Sequence, residues 1–300
     1  MSCETSAGAG KPYGLERVCR VLEFPRSTIY AQQARESAKV VPFFPQRRGP
    51  KPKVPDADLL AAIRADLAAS PFTGEGHRKV WARLRVHRSI RVSRARVLRL
   101  MRENALLSPH RRPQEGLPRL HDGTITTDQP NQMWGTDGIR VETVDEGWAW
   151  VFSAVDHFDA CCVGIHAVKI GNRFAALQPI AQGLLAEFGA TSADAGRGLA
   201  LRMDNGTQYT ADDFLNQVKF WGIAPSFAFV AEPQTNGVAE RFNRTLKEQA
   251  IHGRVFRNVE ELRVAVTEFK DRYNRHWRLE KLGFMSPHEA RQAYAIRKAA

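Results

Sequence analysis

Between residues 37 and 55 the chain carries Pro42, Pro45, Pro50, Pro52 and Pro55, interleaved with Arg47, Arg48, Lys51 and Lys53. Proline has no N–H and a fixed φ, so neither a helix interior nor a central strand tolerates that density. The chain must therefore fold in parts on either side of this segment. A second stretch rich in Pro, Arg and His, residues 107–130, divides it again. The expected organisation is an N-terminal segment 1–36, a linker 37–55, a helical domain 56–106, a linker 107–130, a larger body 131–257 and a C-terminal extension 258–300. A chain of 300 residues has room for about two substantial cores.

Charge follows the same division. Residues 1–120 hold 24 basic and 10 acidic side chains, a net of +14, whereas 121–300 hold 20 and 22, a net of −2. This asymmetry excludes an acidic scaffold and points to a polyanionic partner, nucleic acid above all, held by the first part. The nearly neutral second part is free to carry a site built on carboxylates. The four cysteines, Cys3, Cys19, Cys161 and Cys162, make no CxxC pair, so neither a disulfide framework nor a Zn site is expected. No signal segment or long apolar run appears, and a cytoplasmic protein with no membrane partner is the expectation.

Local patterns fill in the elements. Residues 14–31 read as two short helices around Phe24–Pro25, a helix-turn-helix unit with Leu15, Val18 and Leu22 on one face. Helices are expected at 56–69, 76–86 and 93–104. The last has Ser93 as N-cap, a seam of Val97, Leu98 and Met101, and a basic array of Arg94, Arg96, Arg99 and Arg102. Strand-like runs follow at 134–143, 148–156, 161–168, 199–203 and 223–229, with helices at 172–188, 211–221, 236–252, 258–275 and 286–298. Three strands in a meander, then alternating helices and strands, indicate a mixed α/β sheet.

Three carboxylates stand out by position. Asp137 interrupts the first strand, Asp204 ends a buried-looking strand before an Asn205–Gly206 turn, and Glu240 opens a helix. Strand ends and a helix start can converge at one sheet edge, and three carboxylates can hold two Mg²⁺ while leaving positions for a phosphate. Arg244 and Lys247 lie at i+4 and i+7 from Glu240, on its helical face, as cations meeting a phosphate backbone would. Asp156, His157 and Asp159 form a rival acidic group, read as a capped strand end rather than a metal site.

Residues 131–290 resemble the core of retroviral-type integrases and bacterial insertion-sequence transposases. The match rests on Trp134-x-x-Asp137, on Asp204-Asn-Gly-Thr-Gln-Tyr209, and on Asn236-Gly-Val-Ala-Glu240-Arg-Phe-Asn-Arg-Thr-Leu-Lys247, with 35 residues between Asp204 and Glu240. A tail of Tyr273–Asn274, His276–Trp277, Ser286–Pro287 and Glu289–Ala290 also fits, and 56–105 is similar to the preceding helix-turn-helix region. The chain is most similar to the second-frame (orfB-type) transposases of the IS-three family. It departs from them in carrying Gln234-Thr235-Asn236 where members often have Tyr-Asp-Asn.

The resemblance implies a ribonuclease H-like core, with Asp137, Asp204 and Glu240 as catalytic residues holding two Mg²⁺ (or Mn²⁺) ions and no Zn. It implies end cleavage by water, then strand transfer by a 3′-hydroxyl, both by in-line attack. The implied partners are double-stranded DNA (terminal inverted repeats and target), a second copy of the chain on that DNA, and a first-frame, orfA-type protein. Asn205 and Gln208 would contact the DNA end. Arg26, Ser27 and Tyr30 in the first module, and Arg94, Arg96 and Arg99 in the second, would bind the terminal repeats. Two other readings are a DNA-binding regulator with an unused core, and a ribonuclease H or junction resolvase. The intact triad argues against the first, and the two basic helical modules against the second.

Overall fold

The computed structural model describes residues 4–37, 53–108, 126–228 and 236–299. Most of both proline-rich segments lies outside these, as do Gln234 and Thr235. The chain forms two compact units, residues 1–53 and 54–300. The first holds α1 (Leu15–Val21) and α2 (Arg26–Ser37). The helix α1 has only 7 residues, so the expected face is not realised: Cys19 is its buried residue, while Leu22, at the C-cap, is 59% exposed.

The second unit begins with three helices, α3 (Asp56–Ala69), α4 (His77–His87) and α5 (Arg94–Glu103). Ser93 caps α5, its side chain accepting from the Arg96 N–H. Leu59, Ile63, Val80, Leu84, Val97, Leu100 and Met101 form their core. The seam of α5 thus runs through Leu100, and the expected Leu98 is only half-buried, because burial follows i, i+3, i+4 from Val97. Arg83 lies buried among them and pairs with Asp66 at 2.7 Å and Glu75 at 2.5 Å.

The body is a five-stranded sheet in the order β3-β2-β1-β4-β5. The antiparallel meander is β1 (Met133–Thr143), β2 (Gly147–Asp156) and β3 (Cys162–Val168). After helix α6 (Arg173–Phe188), β4 (Ala200–Met203) joins β1 in parallel. A short turn of helix, α7 (Thr207–Thr210), and α8 (Asp212–Phe220) lead to β5 (Ala224–Phe227), parallel to β4. This is the ribonuclease H-like mixed sheet, built on the expected strands.

Alternation along β1 and β2 sorts side chains to the two faces. Trp134, Phe152 and Ala154 pack under α6 and α8 with Ile180, Leu184, Phe214 and Val218. Ile139, Val141, Val151 and Val155 pack against α9 (Gly237–Leu246) and α10 (Val259–His276) through Phe242, Leu246, Val266 and Phe269. Gly164 sets the approach of α6: a Cβ there would lie 1.9 Å from the Pro179 carbonyl oxygen. The expected helix 236–252 is α9 followed by a π-helical turn, Lys247–Ile251.

The C-terminal motifs are structural. Asn274 brackets the Cys162 backbone, accepting its N–H and donating to its carbonyl, both at 2.9 Å. Ser286 and Glu289 form a capping box that starts α11 (Pro287–Ala299). The helical domain packs on the junction before α11. Phe72 meets Trp277 edge-on at 4.8 Å, Trp81 meets Phe284 at 5.6 Å, and the Gln249 amide bonds both backbone groups of Thr73. Among the described residues, no helix is long and apolar enough to cross a membrane.

Candidate active site

Asp137 stands on the face of β1 that α9 crosses. Its Oδ1 accepts the Gly138 N–H at 2.8 Å, and its Oδ2 accepts Asn243 Nδ2 at 2.9 Å. Asn243 is itself fixed, since its Oδ1 accepts Ser153 Oγ at 3.0 Å and Ser153 is the cross-strand partner of Asp137. At the head of the helix, Asn236 donates Nδ2 to the Thr136 carbonyl at 2.9 Å. Two asparagines seven residues apart share a helical face, and together they pin α9 to β1. Gly135 permits that approach, because a Cβ there would meet Asn236 Oδ1 at 2.8 Å and His157 Nε2 at 3.0 Å. The sequence marks Asn236 and Asn243 only as motif positions, the first in a triplet expected near DNA ends, and does not mark Ser153. The signal was present as polar residues, seven apart, on the apolar face shared by Ala239 and Phe242.

Asp204 follows β4 directly, exposed, with Oδ1 accepting the Gly206 N–H at 2.9 Å. Glu240 is exposed in the first turn of α9. Asp137 is the charge that links the other two. Burial pushes the Asp137 carboxyl above the usual carboxylate range, its hydrogen bonds from Asn243 and Gly138 oppose this, the charge of Asp204 pushes it further up, and Lys247 draws it down. Burial and then the charge of Asp137 raise Glu240, against Arg244. As folded, these carboxylates repel without closing into a ligand set: among the described residues, no three His, Cys, Asp or Glu side chains stand close enough to hold a metal. The donors are hard carboxylate oxygens from three elements, which fits a divalent cation of the Mg²⁺ type.

The basic residues expected at DNA divide into two groups. Arg244 is exposed beside Glu240, Lys247 is half-buried within reach of Asp137, and Gln208 is half-buried past Asp204. Asn205 is exposed and donates to the Ala228 carbonyl at 3.1 Å. In the helical domain, by contrast, the arginines have carboxylate partners. Arg96 and Arg99 clamp Asp56 at 2.5 and 2.6 Å, joining α5 to the start of α3, and Arg94 pairs with Glu280 at 3.3 Å. In the first unit, Arg26 pairs with Glu16 at 3.5 Å, and its guanidinium is raised by a hydrogen bond to Tyr30; Ser27 is exposed.

The rival acidic group is a capped strand end. Asp156 accepts the N–H groups of Asn131 and Phe158, Asp159 accepts that of Cys161, and Arg291 pairs with both. Beside it, burial holds the His157 imidazole down to about 4, with Lys281 and Arg202 adding to the shift. An unfolded histidine titrates near 6.5, so the unfolded chain takes up the proton first as pH falls. Stability is therefore lost from about pH 6.5 down to about pH 4, by about 3 kcal/mol in all. His157→Gln is expected to flatten urea-unfolding stability against pH in this window, and an unchanged slope would contradict the assignment.

Comparison with known proteins agrees with this architecture. Integrase core domain models match residues 127–233 and 221–287, and an HTH-like domain model matches 56–114. The transposase for insertion sequence element IS629 of Shigella sonnei is 28% identical over 228 residues, 73% of this chain and 74% of that protein. Transposase InsD for insertion element IS2 of Escherichia coli is 27% identical over 241 residues, 78% of each chain. The catalytic core domain of BIV integrase, with 22% identity and a TM-score of 0.41, covers 57% of this chain and 99% of that one. The chain thus carries an HTH-like domain and an integrase core, is homologous to the IS629 and IS2 transposases, and is consistent with the orfB-type transposases of the IS-three family.

Proposed function

We propose that this chain is a DNA transposase that cuts the ends of an insertion sequence and joins them to target DNA. What supports the reading is the placement of three carboxylates on adjoining elements: Asp137 on β1, Asp204 directly after β4, the parallel neighbour of β1, and Glu240 in the first turn of α9, the helix whose Asn243 bonds Asp137. These three residues would hold two Mg²⁺ ions, with Mn²⁺ expected to substitute. When bound, such ions activate an attacking oxygen and stabilise the leaving 3′ oxygen in an in-line displacement.

The protein's own residues supply orientation and charge. Asn243 and the Gly138 N–H fix the Asp137 carboxylate, so both its oxygens are set before substrate arrives. Arg244, one turn on from Glu240 in α9, and Lys247, which opens the π-helical turn after it, offer the phosphate backbone two cations. Asn205 and Gln208 flank Asp204 in sequence and would touch the end being cut. Water serves as the first nucleophile and the freed 3′-hydroxyl as the second, with no covalent link to the protein. The helical modules hold the terminal inverted repeats, and pairing of two ends calls for a homo-oligomer on DNA, with an orfA-type protein as a further partner. The cytoplasm is the compartment this reading requires.

The test is incubation of labelled duplexes carrying the element's ends with the protein and Mg²⁺. Nicked and joined products, absent with EDTA, support the reading. Binding without cleavage, even with the first-frame protein added, would instead make the chain a regulator.

A further inference from the structure

Arg78, in the first turn of α4, and Arg94, which opens α5, converge on one carboxylate that belongs to neither helix. Arg78 Nη1 lies 2.5 Å from Glu280 Oε2, and Arg94 Nη1 lies 3.3 Å from Glu280 Oε1. Each oxygen takes one arginine. All three side chains are about half exposed, at 55%, 49% and 48%, so the pair is open to solvent rather than part of the packed interface. Packing in that interface rests on Phe72, Trp277, Trp81 and Phe284, which do not involve Glu280.

The surroundings are cationic. Neither α4 nor α5 has an acidic residue in its own first turn. From Arg272 to Lys281 the chain reads Arg-Tyr-Asn-Arg-His-Trp-Arg-Leu-Glu-Lys, so Glu280 is the sole carboxylate of that stretch. An exposed ion pair of this kind adds little to stability. Two arginines on adjacent helices aimed at one two-oxygen anion are, however, the donor arrangement that recognises a phosphate.

We infer that Arg78 and Arg94 form a binding site for a DNA backbone phosphate, and that Glu280 fills it in the free protein as an internal stand-in. The inference rests on the DNA-binding reading above and adds a site to it. Duplex DNA exchanges the Glu280 carboxylate for a phosphodiester, and the released carboxylate swings into solvent. The contact is with backbone, so it positions the helical domain on the duplex without reading bases. The stand-in also weakens binding to any duplex, because a phosphate must first displace Glu280.

The experiment measures affinity of the full chain for a labelled duplex of arbitrary sequence across a series of KCl concentrations. Glu280→Gln is expected to bind roughly threefold to tenfold tighter, with the plot of log affinity against log salt steeper by about one unit, as one more effective phosphate contact requires. Arg78→Ala combined with Arg94→Ala is expected to bind more weakly, and adding Glu280→Gln to that pair is expected to restore nothing. Thermal melting keeps folding separate, since Glu280→Gln should leave the midpoint unchanged. Equal affinity and equal salt slope for wild type and Glu280→Gln would overturn the inference. So would a gain that persists without the two arginines, since that would be only the removal of a negative charge. Failure of the wild type to bind any duplex would count instead against the DNA-binding reading itself.

Discussion

Asp137→Asn and Glu240→Gln are each expected to give folded protein that binds duplex DNA but nicks and joins it slower by on the order of a thousandfold or more. Each amide keeps the shape of its carboxylate and removes the charge that a divalent cation needs. Effects on stability should be small beside this. Burial and Asp204 already penalise the ionised form of Asp137, so a neutral side chain relieves repulsion, which offsets the one hydrogen bond lost where its Nδ2 faces the N–H of Gly138 or of Asn243. Glu240 is exposed, and its replacement should lie within about 0.5 kcal/mol of wild type. A residue that can be neutralised without loss of stability, yet abolishes reaction, is held for chemistry rather than for folding. The measurement is product formation on end-bearing duplexes in Mg²⁺ beside thermal melting. Cleavage within tenfold of wild type in either variant would remove that carboxylate from the proposed mechanism.

The places of those carboxylates in the fold were legible because their signals are local. A strand, a turn dipeptide and a helix start each announce themselves within a few residues, and alternation in β1 and β2 placed the sheet faces. Partners distant in sequence were not legible. The array Arg94, Arg96 and Arg99 has the look of a DNA-facing helix. Arg96 and Arg99 reach Asp56, about forty residues earlier, and Arg94 reaches Glu280, 186 residues later. Charge density along one helix says nothing about which carboxylates the fold will bring to it. The same holds for Asn243: its spacing from Asn236 shows a polar pair on an apolar face, but that the pair serves β1 depends on which strand the helix crosses. Leu100 in place of Leu98 is a miss of another kind, since the spacing i, i+3, i+4 from Val97 is itself in the sequence.

Arg291→Met is expected to destabilise the second unit more than any single loss on its surface, by about 3–5 kcal/mol near neutral pH. The guanidinium, on α11, reaches Asp156 at 3.1 Å and Asp159 at 2.7 Å, and also pairs with Glu187. Both aspartate side chains are fully buried at the turn between β2 and β3. Methionine fills much of the same volume but leaves two buried carboxylates with backbone N–H donors alone. For a unit of this size the melting midpoint should fall by about 6–20 °C. The loss should also depend on pH. Burial and the charge of Asp159 already push the Asp156 carboxyl up to about 6, with Arg291 the main opposing influence. Removing Arg291 raises it further, so the folded variant binds a proton that the unfolded chain has released above its ordinary carboxylate range. Stability then falls as pH rises through the raised value, and the variant should lie nearer to wild type at pH 5 than at pH 8. Arg291→Lys keeps a charge but not the fork that spans two carboxylates, and should fall between. A uniform small shift at both pH values would mean that capping N–H groups alone hold the turn, and that α11 is joined to the sheet by packing rather than by charge.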